Sequence, residues 1–328
     1  MIDAKTDSRR VTGVALALVV GALLAVQTRI NGELGHQLHD GVLAALISFG
    51  TGLLALLACI AVSTRIRAGL RRVTVAVKRT ELRWWHLCGG ASGAYLVTCQ
   101  GLTISSIGVA VFTVATVAGQ AASGLVVDRL GVGPAGGEPV TVTRMLGAVG
   151  AVIAVLVAVS DRLAAPAALG LAALPLLAGF ALSWQQAVNG RVAVASAPLP
   201  AAVVNFTAGT VVLVAVAAVR AAINGLPRAF PTDAWLYVGG LLGIPVIGLA
   251  ALVVRWIGVL LLGLATVAGQ ILAALALDIA SPATGWTPSA ATVVGCLLAL
   301  ASVATVGSVG LHRGSRPKSR RRGARMAG

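Results

Sequence analysis

Ten runs of about 20 mostly apolar residues alternate along the chain with short segments that carry most of its charge. They fall at roughly 11–30, 41–63, 84–102, 107–127, 142–160, 168–188, 199–219, 234–254, 257–277 and 290–310. About 20 apolar residues in a helix match the bilayer's hydrocarbon core. The runs lack the two-residue alternation of barrel strands, and unpaired backbone is excluded in lipid, so the pattern predicts ten transmembrane helices. The expected fold is an all-α polytopic membrane protein.

The spans repeat. The hexapeptide ATVAGQ occupies 115–120 and again 265–270, an offset of 150. At that offset Ile107-Gly108-Val109 recurs as Ile257-Gly258-Val259, Gly89-Gly90-x-x-Gly93 as Gly239-Gly240-x-x-Gly243, and Asp128 as Asp278. The pattern Q-x-x-x-N-G appears at Gln27, Asn31 and Gly32 and at Gln185, Asn189 and Gly190, an offset of 158. Phe49-Gly-Thr-Gly52 recurs as Phe206-Thr-Ala-Gly209, offset 157. The arginine-rich stretch 64–83 accounts for the change in offset. Spans 1–5 thus match spans 6–10, giving repeat 1 at 11–160, a joint at 161–167, and repeat 2 at 168–310. Residues 1–10 form an N-terminal segment and 311–328 a basic tail. Five spans per half is an odd number, so the second half enters the membrane the other way up. The expectation is a 5+5 inverted-topology repeat, an architecture that secondary transporters use for alternating access.

Composition agrees. The chain is 58% hydrophobic and 11% charged, with a mean hydropathy of +0.94, where soluble domains carry about 25% charged residues. The net charge of +15 follows the positive-inside rule. With the N-terminus inside, 21 of the 25 basic residues fall in inner segments, and only Arg29, Arg162, Arg220 and Arg228 in outer ones. This predicts a multi-pass protein of a bacterial plasma (inner) membrane with both termini cytoplasmic. The basic loop 64–83 and the tail predict contact with anionic lipid rather than nucleic acid. Lys5, Arg9 and Arg10 before an apolar run resemble a cleaved signal, but span 1 has a counterpart in span 6 and is expected to be retained.

Candidate chemistry is sparse. Gln27 and Asn31, and Gln185 and Asn189, are i, i+4 pairs sharing one helix face. Asn-Gly caps helix ends, whereas a glutamine within a span lines a cavity or bonds a neighbouring helix; both readings stay open. Gln120 and Gln270 are each the fourteenth residue of a 21-residue span, about 4–5 Å past the midplane. Inversion puts Gln27, Asn31, Gln270 and Asp278 toward the outside, and Gln185, Asn189, Gln120 and Asp128 toward the cytoplasm. They are expected to form two symmetry-related substrate or gate clusters, with Gln120 and Gln270 exposed alternately. Trp184, beside Gln185, joins the inner cluster. Trp84, Trp85, Trp235, Tyr237, Trp256 and Trp286 read as an interfacial belt. Asp128 and Asp278 end spans 4 and 9. Their plain reading is interfacial; coupling to protons would require burial. The Gly89/Gly93 and Gly239/Gly243 spacings suit close helix packing. Arg29 and Arg255 read as snorkelling residues at span ends. Glu33, His36, His39 and Asp40 read as a solvated outer loop. The four cysteines form no C-x-x-C pair and read as packing residues. No ATP-binding G-x-x-x-x-G-K-[ST] motif occurs. No enzyme, cofactor or metal is expected.

Ten spans in a five-plus-five duplication resemble the drug/metabolite transporter (DMT) superfamily. The Q-x-x-x-N-G pairs at Gln27/Asn31/Gly32 and Gln185/Asn189/Gly190 look closest to its YdcZ-like branch of bacterial inner-membrane exporters. The resemblance covers about residues 11–310 and implies a carrier with its cavity between the halves, exporting a small molecule. With no strong acid or base mid-membrane, the substrate is expected to be neutral, zwitterionic or weakly charged. A lipid-handling or assembly component and a channel are the alternatives, and a homodimer is open.

Overall fold

A computed structural model describes residues 2–134, 136–137, 140–160, 166–225, 229–281 and 287–314. Arg162, Arg228, Trp286, residues 161–165 of the joint and the tail from Ser315 onward lie outside the described residues, as does the side chain of Arg255. The helices are α1 (Ile2–Leu38), α2 (Gly41–Val62), α3 (Thr64–Lys78), α4 (Gly89–Arg129), α5 (Val142–Ala158), α6 (Pro166–Ala195), α7 (Pro198–Asn224), α8 (Gly243–Ala280) and α9 (Ala290–Gly314). Short 3-10 turns lead into α4 and α8, and there is no strand among the described residues. Among the described residues, six helical stretches are long and apolar enough to cross a membrane, and three shorter apolar helices accompany them.

Two helices contain a break that spacing alone does not show. Spans 3 and 4 are expected to be separated near 103–106, yet α4 runs through that stretch, interrupted only at Gly108 (φ 76°, ψ 166°). Spans 8 and 9 meet in the same way in α8, at Gly258 (φ 77°, ψ 168°). Positive φ favours glycine, so the repeated Ile-Gly-Val marks a turn. Contacts along α6 show how sharp it is. Gly89 sits against Asn189, and Cys99 Sγ reaches the Leu174 carbonyl at 3.9 Å, so the first leg of α4 runs antiparallel to α6. On the second leg Gly119 meets Leu176, and Arg191 bonds the Val132 carbonyl just beyond its end, so this leg runs parallel to α6. The chain therefore folds back at Gly108, and both legs pack on α6.

The legs of α8 pack on α1 in the same manner. Gly239, just before the first leg, meets Asn31, and Gly13 meets Ile257; on the second leg Gly269 meets Leu18, and Asp278 lies beside Arg29. Each half thus wraps a helical hairpin around the first long helix of the other half. Glycines set the spacing. A Cβ at Gly21 would lie 2.0 Å from the Thr266 carbonyl oxygen, and one at Gly179, its counterpart, 2.1 Å from that of Thr116. Such close approach of backbones is how small residues drive helix association in lipid. α2 and α7 meet at Phe49 and Phe206. In the α5–α9 contact, the Thr292 hydroxyl donates to the Ala158 carbonyl (3.3 Å).

The basic stretch 64–83, expected as a loop, holds a helix. α3 buries Ile66, Gly69, Val73 and Ala76 and exposes Arg65, Arg67, Arg71 and Arg72. Ser63 starts it, its hydroxyl accepting from Ile66 N–H (3.4 Å). α1 likewise runs on through Glu33 and His36 to Leu38, so the expected outer loop shrinks to a short link before α2. Asp40 closes that link by accepting from Val42 and Leu43 N–H, an ordinary N-cap.

Candidate functional site

The repeated Asn-Gly does not end a helix. Asn31 lies well inside α1 and Asn189 inside α6, which corrects the capping reading. Each asparagine instead lays its Oδ1 against a glycine of the other half. A Cβ at Gly239 would stand 2.3 Å from Asn31 Oδ1, and one at Gly89 2.5 Å from Asn189 Oδ1. The two repeated motifs are therefore partners: the Q-x-x-x-N-G helix of one half rests on the Gly-Gly turn of the other.

Two polar networks extend from these asparagines. Asn31 is fully buried and donates from Nδ2 to Gln100 Oε1 (2.8 Å); Gln100 Nε2 donates to Thr28 Oγ1 (3.2 Å). Gln27, one turn before Asn31, is half-buried and takes no part in this chain of bonds. In the second network Gln185 Nε2 (3.0 Å) and Asn189 Nδ2 (2.9 Å) both donate to Asn205 Oδ1. Gln185 and Asn189 are only half-buried, and Gln185 Oε1 has no partner. Gln100 and Asn205 escaped sequence reasoning because neither is repeated: positions 250 and 48, their counterparts, are Ala250 and Ser48.

Gln120 is half-buried and donates from Nε2 to Gln186 Oε1 (2.9 Å), while its backbone carbonyl accepts from Ser183 Oγ (2.8 Å). Gln270, half-buried on α8, has its backbone N–H packed against Gly21 of α1. Trp184 turns toward Trp85 (ring centroids 5.3 Å) and packs with Val127, Val132 and Val188. Trp85 also lies 3.8 Å from the His86 ring, and Trp84, Trp235 and Trp256 are exposed.

The two aspartates differ sharply. Asp278, expected at an interface, is fully buried. Its carboxylate accepts from the N–H groups of Val109 (3.0 Å) and Ala110 (2.7 Å), the first residues after the Gly108 turn, and Arg29 stands 4.0 Å away. It caps the second leg of α4 from another helix, and the positive helix end and Arg29 compensate its charge. Arg29, expected to snorkel at a span end, instead lies within α1 with a side chain 16% exposed. Asp128 is 42% exposed and pairs with Arg144 of α5.

The two turns, matched by the repeat, differ in burial. Thr113 on the second leg of α4 is fully buried, whereas a Cβ at its counterpart Gly263 would meet nothing within 4 Å. Gly108 is buried and Gly258 exposed. Gln120, Gln185, Gln186 and Asn189, half-buried or exposed, bring together neutral donors and acceptors.

No curated protein matches this sequence. One crystal structure, described only as that of a protein, is similar over 92% of this chain and 98% of its own, at TM-score 0.50 and 20% identity; the likeness extends to the fold. The family model described as "Putative inner membrane exporter, YdcZ" matches twice, at residues 12–157 and 170–305, once in each half. With apolar helices throughout and both halves matched, this chain belongs to the YdcZ family of inner-membrane exporters and is a multi-pass membrane transporter.

Proposed function

We propose that the protein is a secondary transporter that exports a small neutral or zwitterionic molecule by alternating access. In this reading α4 and α8 each contribute two spans, so that ten transmembrane helices form two inverted halves, residues 11–160 and 168–310. Both termini lie in the cytoplasm, because 21 of the 25 basic residues then fall on that side. The Asp278 end faces outward and the Asp128 end inward. α3 lies along the inner surface with its arginines toward anionic lipid headgroups.

One observation supports the reading: at the two turns, positions paired by the internal repeat differ in exposure. Asp278 and Thr113 are fully buried, while Asp128 is 42% exposed and Gly263 is open. An inverted repeat in two unequal conformations is an alternating-access carrier caught facing one side; exchanging the conformations reverses it. In the inward-facing form Gln120, Gln185 and Asn189 meet the substrate from the cytoplasm. Gln27, Asn31 and Gln270 take that position when the outer side opens.

Purified protein in proteoliposomes tests this. Candidates come from metabolites that fall outside deletion cells and rise outside overexpressing cells. Saturable flux stimulated by substrate on the opposite side supports the carrier. Flux that is linear in concentration would make it a channel, and no flux of any candidate would favour a structural membrane component.

A further inference from the structure

We propose that Asp278 and Asp128 are the two latches of the transport cycle, each closing one side by capping the hairpin turn of the opposite half. The proposal rests on the alternating-access reading.

The Asp278 contact joins the two halves. The carboxylate belongs to α8, in the second half, and the two N–H groups it accepts from belong to α4, in the first. Those groups are exposed by the Gly108 turn, where the helix restarts and its first amides have no partner within the helix. A carboxylate there gains two charge-assisted bonds and the favourable helix end. The contact ties the two halves together only while the outer side is shut. When that side opens, water replaces both partners, so the cost of opening stays small enough for a cycle.

The internal repeat supplies the second latch. Asp128 corresponds to Asp278, Gly258 to Gly108, and Val259 and Leu260 to Val109 and Ala110. Gly258 has the same backbone conformation as Gly108, so the second leg of α8 also restarts with amides that lack a partner within the helix. In this structure Asp128 is turned instead to Arg144 on α5. Exchange of the two conformations would carry Asp128 onto the amides of Val259 and Leu260 and would release Asp278 into water. The cations are not symmetric: Arg29 supports the closed outer latch from α1, whereas Arg144 holds Asp128 off its own latch. Arg144 therefore biases the resting carrier toward the inward-facing form.

The test reads outward opening in cells with a membrane-impermeant maleimide. The four native cysteines are replaced, and Thr113→Cys is the reporter, since Thr113 is fully buried when the outer side is shut. D278N should raise its labelling rate about tenfold or more, the scale of losing a charge-assisted bond. D128N, at a half-exposed position where misfolding is not expected, should lower labelling because the inner side can no longer latch. R144Q should raise it. G263W serves as a latch-independent wedge: the buried Thr113 environment, which Gly263 would enter on inner closure, has no room for an indole, so labelling should fall. If G263W lowers labelling but neither D278N nor D128N changes it, the latches are overturned while alternation stands. If G263W changes nothing, alternation itself fails. Should D278N not reach the membrane, opposite responses to D128N and R144Q support the latches, and unchanged labelling in both refutes them.

Discussion

Phe49 and Phe206 lie with ring centroids 5.1 Å apart at an interplanar angle of 39°, and each ring covers a glycine of the other half. A Cβ at Gly209 would meet the Phe49 ring at 2.2 Å, and one at Gly52 the Phe206 ring at 2.3 Å. The two residues occupy equivalent places in the repeat, so this contact marks the pseudo-two-fold relation between halves. Aromatic pairs of this geometry contribute roughly 1 kcal/mol beyond simple burial. F49A and F206A should each lower the melting temperature in detergent. The double variant should lose less than the sum of the two, because the second change removes a partner already gone. Full additivity would mean that the rings act independently.

The glycine contacts between α1 and α8 and between α6 and α4 give a second prediction. G21L and G179L should sharply reduce folded yield, since overpacking a close backbone contact costs about 1–3 kcal/mol or more. G248A should change nothing measurable, because a Cβ there meets nothing within 4 Å. Thermal melts of the three variants check this; equal losses at all three sites would show that helix propensity, not backbone approach, sets the effect.

Much of this arrangement was legible in the sequence. ATVAGQ, the paired Gly-Gly motifs and Q-x-x-x-N-G disclosed the duplication, which the family model matches in both halves. What the sequence could not show was partnership across the repeat. Asn31 reads as a cap because Asn-Gly suits a helix end, yet a glycine surface of the other half overrides that local preference. Gly108 reads only as part of a repeated tripeptide; its positive φ reveals the turn. Asp278 reads as interfacial because its partners lie 169 and 168 residues away. Gln100 and Asn205 carry no repeat signal, because Ala250 and Ser48 stand at their counterparts.

Those unrepeated residues separate stability from transport. Q100L would leave the buried amide of Asn31 and the hydroxyl of Thr28 without their partner, a loss of about 1–3 kcal/mol. Its main effect should be a lower melting temperature. N205A acts on the half-open network and frees Gln185 and Asn189, so it should raise the apparent KM for the exported solute at near-normal membrane levels. Proteoliposome kinetics beside thermal melts distinguish them; the reverse assignment would misplace the substrate path.

The exposed face of α3 gives a prediction about lipid. Each basic side chain near an anionic surface contributes on the order of 1 kcal/mol. Replacing Arg65, Arg71 and Arg72 with glutamine should remove the dependence of transport on anionic lipid, measured in vesicles with and without phosphatidylglycerol. An unchanged dependence would assign that role elsewhere.

Distances across the two ends decide whether the carrier alternates. Spin labels at the exposed Leu102 and Ile279 report the Asp278 end, and labels at the exposed Val126 and Trp256 report the Asp128 end. In reconstituted protein, pulsed electron resonance should find two distances for each pair, with the longer one at one end in proportion to the shorter one at the other. D278N should shift both populations in opposite directions. A single fixed distance at both ends, or ends that widen together, would contradict alternating access.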